Sequence, residues 1–268
     1  MSAATERGSV AGLRVAISAG AGGIGRAMAR AFAAAGARVA VCDVNAAAVA
    51  DLRAELPGAL AVVADVGAFD EVRDFFRAIA DTFGGLDTLI NNAGIAGPTG
   101  PAQEIDPEAW DHTLRVTLGS AFYCSRQAIA MLREAGGGAI INIASNAVFS
   151  GYPFRAPYAA AKWGLIGLTK TLAMELGAHG IRVNAICPGS VSGARMEGVM
   201  QREAEARGVA LDVVRTSFLR QVSMRCFIPP EDIASLAMYL ASPAGARISG
   251  QAIGLDGHTE TLQQWQGE

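Results

Sequence analysis

The feature that most constrains the fold of this sequence is a repeated alternation of short apolar runs with segments of helical pattern. Each apolar run ends at a break containing Gly, Asn, Asp or Pro, and a segment with apolar residues at every third or fourth position follows. Strands and helices that alternate along a whole chain predict a parallel sheet with helices on both faces. The predicted strands span 13–17, 38–42, 59–63, 86–90, 139–143, 181–186 and 252–255, and the predicted helices span 24–35, 46–55, 69–83, 107–134, 157–177 and 231–241.

No linker interrupts this alternation, so we predict a single α/β domain from residue 13 to residue 257, flanked by a flexible N-terminal tail (1–12) and a polar C-terminal tail (258–268). The segment 194–227 departs from the alternation because it is long and helical throughout. Long segments after the carboxyl end of a strand carry substrate lids in α/β folds, and a pair of solvated surface helices is the alternative.

Composition and charge exclude several functional classes. With 51% hydrophobic residues the chain can bury a large core, and its net charge of −3 offers no basic field to nucleic-acid phosphates. No secretory signal and no uninterrupted membrane-spanning stretch is found. The four cysteines are widely separated and the three histidines have no ligand spacing. We therefore expect reduced thiols, a cytoplasmic location, no metal site, no membrane and no nucleic-acid partner.

A glycine-rich turn joins the first predicted strand to the first predicted helix. Glycines at such a turn let backbone amides approach a pyrophosphate, and the helix N-terminus adds the positive end of its dipole. Asp43 ends the second strand, where a carboxylate can accept both hydroxyls of an adenosine ribose and repel a 2′-phosphate. The pattern predicts a dinucleotide site that prefers NAD to NADP, with simple helix capping by Asp43 as the alternative. The turn reads Ser18-Ala19-Gly20-Ala21-Gly22-Gly23-Ile24-Gly25.

Small and polar residues also end the third and fourth predicted strands, as Asp65-Val66 and Asn91-Asn92-Ala93-Gly94. Because the carboxyl ends of parallel strands share one edge of a sheet, these residues outline a cofactor crevice. Ordinary turn chemistry is the alternative explanation for each of them.

A candidate catalytic group follows the fifth predicted strand. Ser145 comes just after that strand, and the run from Tyr158 to Lys162 begins 13 residues later. On a helix, Tyr158 and Lys162 lie four residues apart on one face, where a cation favours the phenolate form of tyrosine. Taken alone the pair is ordinary, but with Ser145 and the glycine-rich turn it predicts general acid/base chemistry.

In this order, the motifs resemble those of the classical short-chain dehydrogenase/reductase family, from Leu13 to about Gly257. The resemblance implies a Rossmann-type, doubly wound parallel sheet of about seven strands in a three-layer αβα domain, assembled as a homotetramer or dimer. It implies that Tyr158 exchanges a proton, that Ser145 bonds the reacting oxygen and that Lys162 binds the nicotinamide ribose. The cofactor-binding positions it implies are Ser18, Gly20, Gly23, Ile24, Asp43, Asp65, Val66, Asn92, Ala93, Gly94, Tyr158, Lys162, Pro188, Gly189 and Val191.

Three positions depart from the family pattern. Ser18-Ala19 stands where Thr-Gly is usual, and the methyl group of Ala19 is unfavourable if the turn needs a positive φ. Thr117 stands where the family has its fourth catalytic residue, Asn, so a hydroxyl replaces an amide in the expected proton relay. Ser192 stands where the nicotinamide loop often has Thr.

The expected activity is the NAD-dependent interconversion of a secondary alcohol and a ketone. The arginines of segment 194–227 favour a polar substrate such as a sugar, polyol or hydroxy acid. Three alternatives stay open: a steroid-like or aromatic alcohol, an NADPH-dependent ketoacyl-type reductase, and a catalytically weak NAD-binding regulator. The apolar alternative is favoured by Val148, Phe149, Tyr152, Phe154 and Met196.

Overall fold

The computed structural model describes residues 8–259, and in this range the predicted parallel sheet is present. Its seven strands lie in the order β3-β2-β1-β4-β5-β6-β7, and each neighbouring pair is parallel. The strand order reverses beside β1, which opens a crevice between the carboxyl ends of β1 and β4. The strands are β1 (Arg14–Ser18), β2 (Arg38–Asp43), β3 (Leu60–Val63), β4 (Thr88–Asn91), β5 (Gly138–Ile143), β6 (Ile181–Pro188) and β7 (Ala252–Leu255).

The helices between the strands begin at recognisable capping residues in two cases. Asn45 Oδ1 accepts the backbone N–H of Ala48 at 3.1 Å, and Asp106 Oδ2 accepts that of Ala109 at 3.1 Å. The α-helices of the described chain are α1 (Gly23–Ala34), α2 (Ala46–Glu55), α3 (Phe69–Phe83), α4 (Pro107–Leu114), α5 (Ser120–Glu134), α6 (Ala156–Leu176), α7 (Ala194–Arg207), α8 (Leu211–Arg220) and α9 (Pro230–Ala241).

Two hydrophobic clusters cover opposite faces of the sheet and make the three predicted layers. On one face, side chains of β1 and β2 pack against α1, α2 and α9. On the other face, α3, α5 and α6 supply the packing. Val15, Ala16 and Ile17 are all fully buried, because a central parallel strand has no solvent-facing side.

The single helix predicted over 107–134 is wrong in one respect. A π-helical turn, Arg115–Gly119, separates α4 from α5. A π turn adds a residue without changing the apolar pattern visibly, so periodicity alone does not reveal it; such turns are common at functional sites. The turn holds Thr117 at 0% exposure.

Segment 194–227 forms α7 and α8, which pack on each other through a small apolar cluster of their own. Ion pairs join Arg207 to Glu203 and Arg215 to Glu197, so part of the arginine excess is neutralised within the segment. We call residues 194–227 the lid; that they cover a substrate stays a prediction.

The ends of the described chain are packed. Val10, within the predicted N-terminal tail, is 2% exposed and belongs to the core. Trp265 and the rest of the predicted C-terminal tail beyond Thr259 lie outside the described residues. Among the helices between residues 8 and 259, none combines the length and apolarity needed to cross a membrane. All four cysteines are free thiols, and three of them are buried.

Candidate active site

The glycine-rich turn after β1 has a positive φ at Ala19, the position where the sequence predicts an unfavourable methyl group. Ala19 has a φ of 49°, in the left-handed region that strains any residue with a side chain. Gly23 has a φ of 48°. A methyl group on Gly25 would lie 2.3 Å from the carbonyl oxygen of Ala19, so α1 packs directly against the turn at that position. The turn is therefore tightly constrained even though one of its positions carries an unfavourable residue.

Ser18 fixes the turn to the end of β4. Its hydroxyl oxygen accepts the backbone N–H groups of Asn92 at 3.0 Å and of Ala93 at 3.1 Å. The Asn92 amide in return donates to the carbonyls of Ser18 and Ala19, at 3.1 and 2.9 Å. A serine hydroxyl thus makes the contacts that join the two strand ends on either side of the crevice.

The start of α1 fits a pyrophosphate group. No side chain within residues 8–259 caps this helix at Gly22, so the first backbone N–H groups are left for another acceptor. A methyl group built on Gly22 or Gly23 would meet no heavy atom within 4 Å. Open space above unpaired N–H groups at the positive end of a helix dipole is the chemistry that binds phosphate.

Asp43 lies beside the glycine-rich turn, at the end of the crevice where the sequence predicts the adenosine ribose. Its Oδ2 accepts the backbone N–H of Ala21 at 3.1 Å, and its Oδ1 accepts that of Asn45 at 3.0 Å. The capping residue of α2 is Asn45, so the alternative of helix capping by Asp43 is not what the structure shows. The carboxylate is therefore held against the glycine-rich turn, and its contact with a ribose stays a prediction.

Asp65 and Val66 lie at the same edge, beyond β3. The exposed Asp65 carboxylate accepts the N–H of Gly67 at 2.8 Å in a local turn, and Val66 is buried. Glu71 accepts the backbone N–H of Asp65 at 2.8 Å. These bonds account for the turn, so a cofactor contact at Asp65 stays a prediction.

Lys162 is the centre of the candidate catalytic group. It is 5% exposed, its Nζ donates to the carbonyl of Ile143 at 2.7 Å, and Nζ lies 5.8 Å from the centroid of the Tyr158 ring. Burial and, to a smaller extent, the positive charge of Arg195 together lower the pKa of Lys162 to about 7. The amino group of Lys162 therefore bonds the end of the strand that precedes Ser145 and also lies near the ring of Tyr158 on its own helix.

Gly94 and Thr117 lie close to the Lys162 side chain. A methyl group on Gly94 would lie 3.3 Å from Lys162 Nζ and 3.5 Å from Thr117 Oγ1. The Thr117 hydroxyl accepts the backbone N–H of Ile95 at 3.3 Å. The π turn thus delivers the residue that replaces the usual Asn next to Lys162.

Ser145 is 8% exposed and begins a short helical turn at Asn146–Val148. Its Oγ accepts the backbone N–H of Ala147 at 3.2 Å and lies 3.5 Å from Asn146 Oδ1. The structure therefore leaves the serine hydroxyl with one firm bond and one long one, which a substrate oxygen can replace.

Sequence reasoning missed Arg155 at this site. Its guanidinium lies 5.2 Å from the Tyr158 ring centroid and 5.4 Å from that of Tyr152, and its Nη2 donates to the carbonyl of Ala96 at 2.8 Å. Its Nε is buried without a hydrogen-bond partner among the described residues. The available signal was its place one turn before Tyr158 at the start of α6.

The loop after β6, expected at the nicotinamide, is held on two sides. Gly189 donates to the carbonyl of Leu255 at 3.1 Å, and a methyl group on Gly189 would lie 2.7 Å from Asp256 Cβ. Val191 forms a parallel bridge with Ile228. The Ser192 hydroxyl donates to the Ile228 carbonyl at 3.3 Å. Ser192 thus anchors the loop to the residue that directly follows the lid.

Comparison with known proteins places this geometry in a family. The family model described as enoyl-(acyl carrier protein) reductase matches residues 19–258. The chain is 38% identical to D-beta-hydroxybutyrate dehydrogenase of Rhizobium meliloti strain 1021, over 88% of this chain and 93% of that protein. It is 36% identical to D-threitol dehydrogenase of Mycolicibacterium smegmatis, over 88% of each chain.

Among solved structures, a variant of actinorhodin polyketide ketoreductase with NADPH superposes with a TM-score of 0.88. The two chains are 29% identical, and the match covers 93% of this chain and 98% of that one. The fold, the matching model and these relatives define one class: the chain belongs to the short-chain dehydrogenase/reductase family. It is an oxidoreductase of that family, whose relatives act on alcohols and ketones.

Proposed function

We propose that this protein is an NAD-dependent dehydrogenase that interconverts a secondary alcohol and its ketone. The single observation that supports it most strongly is the arrangement around Lys162, whose ammonium group lies beside the Tyr158 ring and bonds the carbonyl of Ile143, two residues before Ser145. A helix and a strand end thereby hold an acid/base residue and a hydroxyl donor at the carboxyl edge of the sheet.

In the oxidative direction, Tyr158 takes the hydroxyl proton of the substrate, and Ser145 donates its O–H to the same oxygen. In its protonated form, Lys162 stabilises the negative charge on the tyrosine oxygen. The redox chemistry would come from a nicotinamide cofactor, which when bound would serve as the hydride acceptor. The protein therefore contributes position, a proton acceptor and a hydrogen bond to the reacting oxygen.

The preference for NAD is inferred from Asp43. Its carboxylate is fixed by the N–H of Ala21, and a fixed negative charge there repels a ribose 2′-phosphate. An NADPH-dependent ketoacyl-type reductase is the competing candidate, because the ketoreductase with the similar fold was crystallised with NADPH.

For the substrate, we propose a small polar alcohol, with a hydroxy acid or polyol favoured. The Arg155 guanidinium lies against the Tyr158 ring, and its Nε has no hydrogen-bond partner among the described residues. The positive charge of Arg195 helps to lower the pKa of Lys162. Both groups favour an oxygen-rich or anionic substrate near the reacting carbon. The exposed rings of Phe149 and Phe154 keep a steroid-like or aromatic alcohol as the second candidate.

The remaining proposals concern assembly and location. From the family resemblance we propose a homotetramer or dimer, to be measured by sedimentation. A cytoplasmic location stays a prediction from the cysteine pattern.

The test is a panel of alcohols with NAD or NADP, followed by NADH or NADPH absorbance. D-β-hydroxybutyrate and D-threitol represent the polar class, and a hydroxysteroid represents the apolar one. We expect turnover of a polar alcohol with NAD and loss of at least about a thousandfold in kcat for Tyr158→Phe, with NADH binding retained. Undiminished turnover by Tyr158→Phe would refute the assignment, and NADH binding without turnover of any substrate would favour a regulator.

A further inference from the structure

The residues after β7 make a strained turn that leads toward the catalytic serine. Asp256 Oδ1 accepts the N–H of His258 at 3.1 Å, and Asp256 Oδ2 accepts that of Thr259 at 3.3 Å. Gly257 and His258 both have left-handed backbones, with φ of 66° and 62°. A non-glycine residue keeps such a conformation only where surrounding contacts impose it.

Those contacts come from the end of the lid. Ser223 donates its backbone N–H to the carbonyl of His258 at 2.8 Å, and Met224 donates to that of Gly257 at 3.1 Å. Val222 forms an antiparallel bridge with Thr259. We call Gly257–Thr259 the strap, because it ties the end of the lid to the body of the domain.

The strap also reaches the loop that carries Ser145. Asn146 Nδ2 donates to Thr259 Oγ1 at 2.9 Å, across 113 positions of sequence. The same amide presents Oδ1 to the Ser145 hydroxyl at 3.5 Å. An amide whose NH2 group is held in one direction has its oxygen fixed in the other, so the bond to Thr259 sets what Ser145 meets.

We propose that Thr259 is a positioning residue: its hydroxyl holds the Asn146 amide so that Asn146 Oδ1 faces Ser145, while the end of the lid holds Thr259. The inference rests on the proposed function, in which the Ser145 hydroxyl donates to the substrate oxygen. Asn146 Oδ1 accepts the long hydrogen bond from the Ser145 hydroxyl until that oxygen arrives, which favours one orientation of the O–H. The lid and the catalytic serine are thereby linked through one side chain.

The kinetic test compares Thr259→Val, which has nearly the same shape without the hydroxyl, with Thr259→Ser, which keeps the hydroxyl. We expect Thr259→Val to lower kcat about tenfold, with the dissociation constant of NADH unchanged, and Thr259→Ser to retain at least about half of the activity. Asn146→Ala should produce a similar loss, and adding Thr259→Val to it should cause no further loss. Thr82→Val, an exposed threonine in α3, is the matched control.

Two kinetic results would overturn the proposal: a kcat for Thr259→Val within twofold of the wild type, or losses that multiply in the double variant. A crystal structure of Thr259→Val provides a second test that does not depend on turnover. We expect Asn146 Oδ1 to leave hydrogen-bond distance of Ser145 Oγ, and an unmoved amide would refute the positioning role. Absence of wild-type turnover would instead count against the proposed function and leave the structural arm to decide.

Discussion

The Thr117 hydroxyl accepts the backbone N–H of Ile95 at 3.3 Å, joining the π-helical turn to the loop after β4. This bond lies next to Gly94, where an added methyl group would touch both Thr117 and Lys162. One buried hydroxyl therefore helps to hold the loop at Gly94 that lies beside the Lys162 side chain.

We predict that Thr117→Val lowers the free energy of unfolding by about 0.5–1.5 kcal/mol, because it leaves the part-buried N–H of Ile95 without this partner. Thr117→Ser keeps the hydroxyl and should lose clearly less. Urea denaturation of the three proteins measures both values. Equal stability of the valine variant and the wild type would show that the bond contributes nothing.

Ala19 gives a prediction of unusual sign. Left-handed backbone is unfavourable by about 1–2 kcal/mol for a residue with a side chain, and glycine loses only part of that in extra chain entropy. We expect Ala19→Gly to raise the free energy of unfolding by about 0.5–1 kcal/mol. Ala27→Gly within α1 is the control and should lower it by about 1 kcal/mol. A destabilised Ala19→Gly in thermal melts would mean that the strain is absent.

Two glycines of the same turn should respond differently to alanine. Gly25→Ala places a methyl group 2.3 Å from the Ala19 carbonyl and 2.8 Å from Asn92 Nδ2. We expect it to destabilise the fold by about 1–3 kcal/mol and to weaken NADH binding. Gly22→Ala meets open space, so its melting temperature should match the wild type. Similar melting temperatures for both variants would contradict this packing.

Asp43 should control the choice of cofactor through its charge. Asp43→Asn retains an oxygen for the N–H of Ala21 while removing the negative charge. We expect the ratio of kcat/KM for NADP to that for NAD to rise about tenfold or more. Asp51→Asn, on the exposed side of α2, serves as the charge-matched control. An unchanged ratio in Asp43→Asn would favour another basis for selection.

Lys162 should make stability depend on pH. Its pKa is lowered from 10.5 to about 7 by burial, so between these values the unfolded chain binds a proton that the folded chain does not. Raising the pH through this window therefore stabilises the wild type.

We predict that Lys162→Met is inactive yet more stable than the wild type at pH 7. The difference in free energy of unfolding between Lys162→Met and the wild type should narrow as the pH rises from 7 toward 10, by up to about 1.4 kcal/mol per pH unit. Urea denaturation at pH 7, 8 and 9 gives the comparison. A difference that stays constant over this range would mean that Lys162 is charged in the folded protein throughout.

Local pattern was sufficient for the sheet and for part of the site. Buried parallel strands are continuous apolar runs, which the sequence displays directly, and each strand lies within two residues of its predicted bounds. Lys162 and Tyr158 are neighbours by helical spacing alone. Asp43 ends β2 and Asn92 follows β4, the two strands that flank β1, so their place at one edge of the sheet follows from parallel topology.

Other features needed distant parts of the chain. The π turn at Thr117 leaves the apolar period intact, so a continuous helix was the natural but incorrect prediction. Arg155 contacts the carbonyl of Ala96, 59 residues earlier, and Thr259 contacts Asn146 across 113. No local pattern marks such pairs.

The sequence by itself determined the alternating α/β architecture and the position of the glycine-rich turn, because both depend on periodicity or on spacing within one or two elements. The catalytic roles of Ser145, Tyr158 and Lys162 stay a prediction from the same kind of spacing. Only the tertiary structure decided that Ala19 takes a left-handed backbone, that Asp43 bonds the turn and that Thr259 reaches the serine loop. The physical reason is that backbone strain and long-range hydrogen bonds are imposed by packing between elements, which residue order alone does not encode locally.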